Sequence, residues 1–143
     1  MLDSSQVSSV KGIYIDSSDT LYVTDGDVVW KLLNNTTYAT VVAGTRGLVG
    51  PDSTQLNYPQ DVYVDRYGDM YVVDTLNYRI QKFINGSTVG ITIAGITGSQ
   101  GSAANQLAVP LYFTFDSTDT YFYIADLSNN NVMRYLTNST TGN

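Results

Sequence analysis

The feature that most limits what this chain can become is a block of about fifty residues that occurs three times. Gly12-Ile13-Tyr14-Ile15-Asp16, Asp61-Val62-Tyr63-Val64-Asp65 and Tyr112-Phe113-Thr114-Phe115-Asp116 are apolar stretches that each end in Asp. Self-similarity at this period marks an array of supersecondary units, none of which can bury its apolar face alone. Residue usage is that of strands and turns, with 12 Tyr, 12 Gly and many Val, Thr and Ser. All 13 acidic residues are Asp, which bonds nearby backbone N–H groups in turns, whereas Glu suits helix interiors. No stretch carries a sustained helical period, so the expected class is all-β.

The second repeat is the most complete. Gln55-Leu56-Asn57-Tyr58-Pro59 leads into Asp61–Asp65, a turn at Arg66-Tyr67-Gly68, and the strand-like Asp69–Asp74. A turn at Thr75-Leu76-Asn77-Tyr78, a third strand Arg79–Ile84, a turn at Asn85-Gly86 and a fourth strand ending at Gly95 follow. Asn85-Gly86 predicts a type I′ turn, in which both central residues have positive φ. The first repeat follows the same order with a shorter turn between its second and third strands. The third begins at Gln106 and runs through Asn131–Leu136, with its fourth strand barely started. The repeats span residues 6–44, 55–95 and 106–143 of a single unit, 1–143. The loops joining them, of equal length, contain Gly47-Leu48-Val49-Gly50 and Gly98-Ser99-Gln100-Gly101. No helix or Lys-Ser pair follows to complete a phosphate loop, so they read as flexible connections.

This pattern resembles the NHL repeat. Leu56, Pro59, Val62, Val64, Asp65, Gly68, Tyr71, Val72, Asp74, Asn77, Arg79, Ile80, Lys82, Phe83, Ala94 and Gly95 carry the likeness. Repeats one and three depart from it: Val10 stands in place of the Pro, and Val28 and Asn131 in place of the Arg. The kelch repeat has a similar period but needs a Gly-Gly doublet, and WD40 blades need a Trp-Asp pair; neither occurs. The resemblance implies a β-propeller segment of about three four-stranded blades, the last incomplete, within a ring that commonly has six. Six blades at this period require about 300 residues. The chain is therefore expected to be part of a longer protein, or to close a ring as a homodimer.

Chemistry is narrowly bounded. There is no His, Cys or Glu, which removes imidazole and thiolate metal sites and the usual nucleophilic triads from these residues. No cofactor is expected. A net charge of −6 speaks against nucleic acid as a partner, and no apolar run is long enough to span a membrane. Asp25, Asp74 and Asp126 recur in register; a carboxylate ring for Ca²⁺ is the sharper reading, and capping of the turn after the second strand the favoured one. Asp16, Asp65 and Asp116 read as caps as well. Tyr22, Tyr71 and Tyr123 share a register and read as packing residues. Tyr58, Tyr67 and Tyr78 lie in turns and are candidate binding-loop residues together with Arg79, for which a partner inside its own blade is the competing reading. Asn34, Asn35, Asn85 and Asn138 are glycosylation acceptors in equivalent turns and favour an extracellular or secreted setting.

The resulting expectation is a non-catalytic binding scaffold whose partner is a protein, a small ligand or neighbouring blades. Two alternatives place the active parts outside this chain: a propeller enzyme like the peptidylglycine amidating lyase, or an RNA-binding propeller of a ubiquitin ligase.

Overall fold

The computed structural model describes residues 6–137 and residue 142. Three antiparallel sheets follow one another along the chain in simple meander order. The first contains β1 (Val10–Ile15), β2 (Leu21–Asp25), β3 (Val28–Leu32) and β4 (Ala39–Gly44). The second contains β5 (Pro59–Val64), β6 (Met70–Asp74), β7 (Arg79–Phe83) and β8 (Gly90–Gly95). The third has β9 (Pro110–Phe115), β10 (Tyr121–Asp126) and β11 (Asn131–Leu136), plus a single bridge from Tyr135 to Gly142 where a fourth strand would begin. The all-β class and the succession of antiparallel sheets match the sequence expectation, and among the described residues the third sheet has three strands.

The local geometry repeats as closely as the sequence does. Each first strand carries a bulge at its second residue, between Val10 and Ile13, Pro59 and Asp61, and Pro110 and Tyr112. Pro59 and Pro110 sit at strand starts, where a missing N–H is tolerated. Asp16, Asp65 and Asp116 cap the hairpins between first and second strands. Asp65 Oδ1 accepts the N–H groups of Tyr67 and Asp69, both at 2.9 Å, and Asp16 Oδ1 accepts those of Ser18 and Thr20. Despite partial burial, these donors hold the Asp16 carboxyl below its usual value.

Three expectations need correction. Only Gly86 has positive φ in the Asn85-Gly86 turn, and the Ser87 N–H donates to Ile84 O at 2.7 Å, so the turn has the type II pattern. Asp25, Asp74 and Asp126 do not cap the turn that follows them. They reach back to the segment that enters their own sheet: Asp25 accepts the N–H groups of Ser8 and Ser9, Asp74 that of Asn57, and Asp126 those of Ala108 and Val109. Third, the loops between sheets are tied down. Arg79 donates to Pro51 O, Asp52 O and Gln55 O, Asn77 to Gly50 O, and Asn129 to Gly101 O.

The sheets meet mainly through their first and second strands, β1 and β2 against β5, then β5 and β6 against β9, so they fan out from a shared inner edge. Gly12 shows how close that edge is: a Cβ there would lie 2.5 Å from the Gln60 carbonyl oxygen. Alternation along the strands gives each sheet two apolar faces. Tyr22, Val29 and Ala43 of the first sheet pack on Val62, Val64, Met70 and Phe83 of the second. Tyr71, Val73 and Ile80 on its far side pack on Phe113, Phe122, Ile124 and Tyr135 of the third. Leu56 and Leu107, from the loops, are fully buried in these two cores. Each such side chain contributes roughly 1.5–3 kcal/mol by leaving water.

The same positions on the outermost sheets are uncovered. Val62 is 2% exposed, while its first-sheet counterpart Ile13 is 66% exposed. Ile80 is fully buried, while its third-sheet counterpart Val132 is 63% exposed. Among the described residues no helix is long and apolar enough to cross a membrane.

Candidate functional site

The repeating polar residues are consumed by the fold. Arg79 is 2% exposed, and its five N–H donors are all engaged. Nε donates to Asp74 Oδ2 at 2.7 Å, NH1 to Pro51 O and Thr97 Oγ1, and NH2 to Asp52 O and Gln55 O. The competing reading of Arg79 therefore holds, and its place among the accessible binding residues is corrected. Burial pushes the Asp74 carboxyl above its usual value, against the pull of Asn77, Asn57 and Arg79. Among the described residues no three acidic side chains converge on a point that could hold a metal ion.

The three loop tyrosines divide between opposite ends of the second sheet. Tyr58 precedes the start of β5, and Tyr78 follows the end of β6, which pairs back to that start through Asp74 and Pro59. Both have left-handed backbones, with φ of 59° and 58°. Tyr58 is covered on one face by Lys11, whose Nζ lies 4.7 Å from the ring centroid. Tyr67 lies at the other end, in the β5–β6 hairpin, and is 69% exposed. Asn34 and Asn35 occupy an exposed β3–β4 turn and Asn85 the equivalent β7–β8 turn; Asn138 lies outside the described residues.

Tyr67 borders a cleft of about 270 Å³ between the second and third sheets. Tyr63 and Tyr71 from the second sheet and Phe115 from the third line it. The Tyr63 and Phe115 ring centroids are 5.2 Å apart, and those of Tyr71 and Phe115 5.0 Å. Lys82 Nζ pairs with Asp69 Oδ2 at 2.7 Å and lies 5.1 Å over the Tyr71 ring. The Lys82 bond holds the Asp69 carboxyl below its usual value. Across the mouth, Arg66 of the second sheet reaches Asp119 of the third at 3.6 Å. Burial raises the Tyr63 hydroxyl pKa, and the Asp119 and Asp65 carboxylates add to the shift.

A related cleft of about 300 Å³ lies between the first and second sheets. It shares the Tyr and Lys, here Tyr22 and Lys31, but has Gly68 where the other has Asp119, and Val41 and Val42 among its walls. Sequence reading did not single out Tyr63, Asp69, Lys82, Phe115 or Asp119 as a group. The one available signal was the recurrence of a cation three strands into each repeat, at Lys31, Lys82 and Arg134.

No family model matches the sequence, and no curated protein matches it at a significant level. Solved structures do resemble the fold. A chain of the nidogen/laminin complex aligns over 94% of this chain and 46% of its own length, with TM-score 0.69 and 16% identity. An auxiliary nutrient binding protein from Bacteroides thetaiotaomicron aligns over 85% and 36%, with TM-score 0.72 and 17% identity. Virginiamycin B lyase from Staphylococcus aureus aligns over 92% and 39%, with TM-score 0.65 and 11% identity. The chain thus spans between a third and a half of these proteins. Each likeness is one of fold, and together with the three fanned sheets it makes this chain an all-β arc of β-propeller blades.

Proposed function

We propose that the chain is an NHL-type arc of a six-bladed ring and acts as a non-catalytic binding scaffold. The NHL assignment is supported by the way its signature residues bond one another: Asp74 with Asn77 and Arg79, and Arg79 with the loop that carries Leu56. Further blades, from the same protein or from a second copy closing the ring, cover the Ile13 and Val132 faces.

The observation that carries the binding reading is where polar groups remain free. The regular Asp and Arg positions are spent on the fold, whereas Tyr67 and the aromatic cleft beside it stay open to solvent. Exposed aromatic anchors beside a pocket are the composition of recognition surfaces. The partner is a protein or a small ligand, met outside the cell. A catalytic reading rests on the fold likeness to the lyase, and would place the reacting groups outside residues that contain no His, Cys or Glu.

Photo-crosslinking tests this function. A photoreactive amino acid at position 67, in protein made by its native host, should give a discrete adduct that excess unlabelled chain competes away. Absence of any adduct at this and the other exposed tyrosines, combined with substrate turnover by the purified chain, would overturn it.

A further inference from the structure

We infer that the cleft between the second and third blades takes one neutral pyranose ring, as a free sugar or as the end of a glycan. The inference rests on the binding reading above and names the ligand class of its cleft. Size sets the first limit: about 270 Å³ lies just below the range of drug-sized sites, roughly 300 to 1,000 Å³, and so admits a single small ring.

Charge sets the second. Lys82 is committed to Asp69 at 2.7 Å and Arg66 to Asp119 at 3.6 Å. Asp65 accepts from two backbone N–H groups and from the Tyr71 hydroxyl at 3.2 Å. A phosphate would have to compete with Asp69 for Lys82 and with Asp119 for Arg66, and an amine would find only Asp65, whose carboxylate is already met by three donors. A neutral ligand need not compete for either charge.

The remaining groups suit hydroxyls around an apolar ring. The Tyr63 hydroxyl has no hydrogen-bond partner among the described residues, whereas its first-blade counterpart Tyr14 donates to Val64 O at 3.0 Å. A tyrosine hydroxyl both donates and accepts, Lys82, which also bonds the Tyr71 hydroxyl, has one further N–H donor, and the carboxylates have spare lone pairs, so hydroxyls of either sense are met. Tyr67, one face of which is covered by Arg66 at 5.2 Å, lines the cleft with Tyr63 and Phe115 and supplies aromatic surface for the C–H side of a pyranose. The cleft between the first and second blades lacks Asp119 and has aliphatic Val41 and Val42, so the preference belongs to the second seam.

The experiment is a titration of the full chain with D-glucose, D-galactose, D-mannose and N-acetyl-D-glucosamine, followed by amide NMR shifts. At least one sugar should shift Tyr67, Asp69, Phe115 and Asp119 saturably, with Kd in the millimolar range. Tyr67→Ala should weaken it about tenfold and Tyr63→Phe about fivefold, whereas Tyr38→Ala, at an exposed position outside the cleft, should change nothing. A glycan array then separates the sources: tighter binding to glycans ending in that sugar assigns a glycan, and equal binding a free sugar. No shift with any sugar, shifts elsewhere, or stronger cleft shifts with inorganic phosphate or methylammonium would overturn the inference. With a competed adduct at position 67, such a result sinks the sugar alone; without one, it sinks the binding reading too.

Discussion

Arg79 Nε donates to Asp74 Oδ2 at 2.7 Å, with the two side chains only 3% and 0% exposed. Two charges removed from water are tolerable because every remaining donor on the guanidinium has an oxygen to meet. The pair therefore joins β6, β7 and the incoming loop in one knot. Arg79→Lys is expected to destabilise the protein by about 3 kcal/mol, since an ammonium cannot serve Asp74 and three carbonyls at once. Urea unfolding measures the loss, and hydrogen exchange should show Gly50 and Asn57 losing protection first. Unchanged stability would show that the fork is dispensable.

The other blades differ at this position. In the first, where Val28 replaces the Arg, the Trp30 indole N–H donates to Asp25 Oδ2 at 3.3 Å. In the third, where Asn131 replaces it, no side chain among the described residues takes the Arg's place, and Asp126 keeps the bond from Asn129 Nδ2 at 2.8 Å that matches Asn77 to Asp74. Removing the indole donor with Trp30→Phe should cost about 1–3 kcal/mol, most of it from the carboxylate left short of a partner. Thermal unfolding of Trp30→Phe beside Tyr38→Phe, at an exposed position, measures that difference; equal melting would contradict it.

These substitutions also show how far the sequence could be read. Strand order, hairpin caps and the shared register of Tyr22, Tyr71 and Tyr123 follow from local pattern, because hairpins and Asx caps involve neighbours in the chain. The Asp25, Asp74 and Asp126 roles did not, because their partners lie in the loop that enters each sheet, distant in sequence and marked by no residue type. Arg79 was ambiguous for the same reason, its acceptors being backbone carbonyls. The cleft is harder still: Asp119 and Phe115 reach Tyr63 and Lys82 only after two blades dock.

Asp61 should leave a pH signature of defined sign. Its Oδ2 accepts the Phe113 N–H across the seam at 3.2 Å, and burial raises its pKa above the ordinary value of 3.8. The folded state therefore holds more protons than the unfolded one just above 3.8. The stabilising contribution is full below that value and is lost as pH rises through the folded pKa. Relative to wild type, Asp61→Asn should gain stability between about pH 4 and pH 7 in urea unfolding. Asp16→Asn should show the reverse slope below 3.8, because the folded Asp16 pKa is lowered. A pH-independent difference for Asp61→Asn would show that its carboxylate stays hydrated.

The glycosylation acceptors should not be used equally. Asn85 Nδ2 donates to Tyr67 O at 3.1 Å, and the side chain sits where a Cβ on Gly68 would lie, 2.6 Å from Nδ2. Asn34 and Asn35 lie in an exposed turn closed by the Thr36 N–H donating to Leu33 O at 3.1 Å. Secreted from a eukaryotic host, the protein should carry glycan at Asn34 or Asn35 at higher occupancy than at Asn85. Peptide mass spectrometry after enzymatic deglycosylation reads this directly, and higher occupancy at Asn85 would contradict the geometry.

The most direct check on the arc itself is sedimentation velocity of the isolated chain over a range of concentrations. Outer faces built from positions that are buried between blades should drive self-association, and Ile13→Lys combined with Val132→Lys should shift the boundary toward monomer without altering the far-ultraviolet circular dichroism. A wild-type chain that stays monomeric at every concentration and unfolds in one cooperative step would contradict the account.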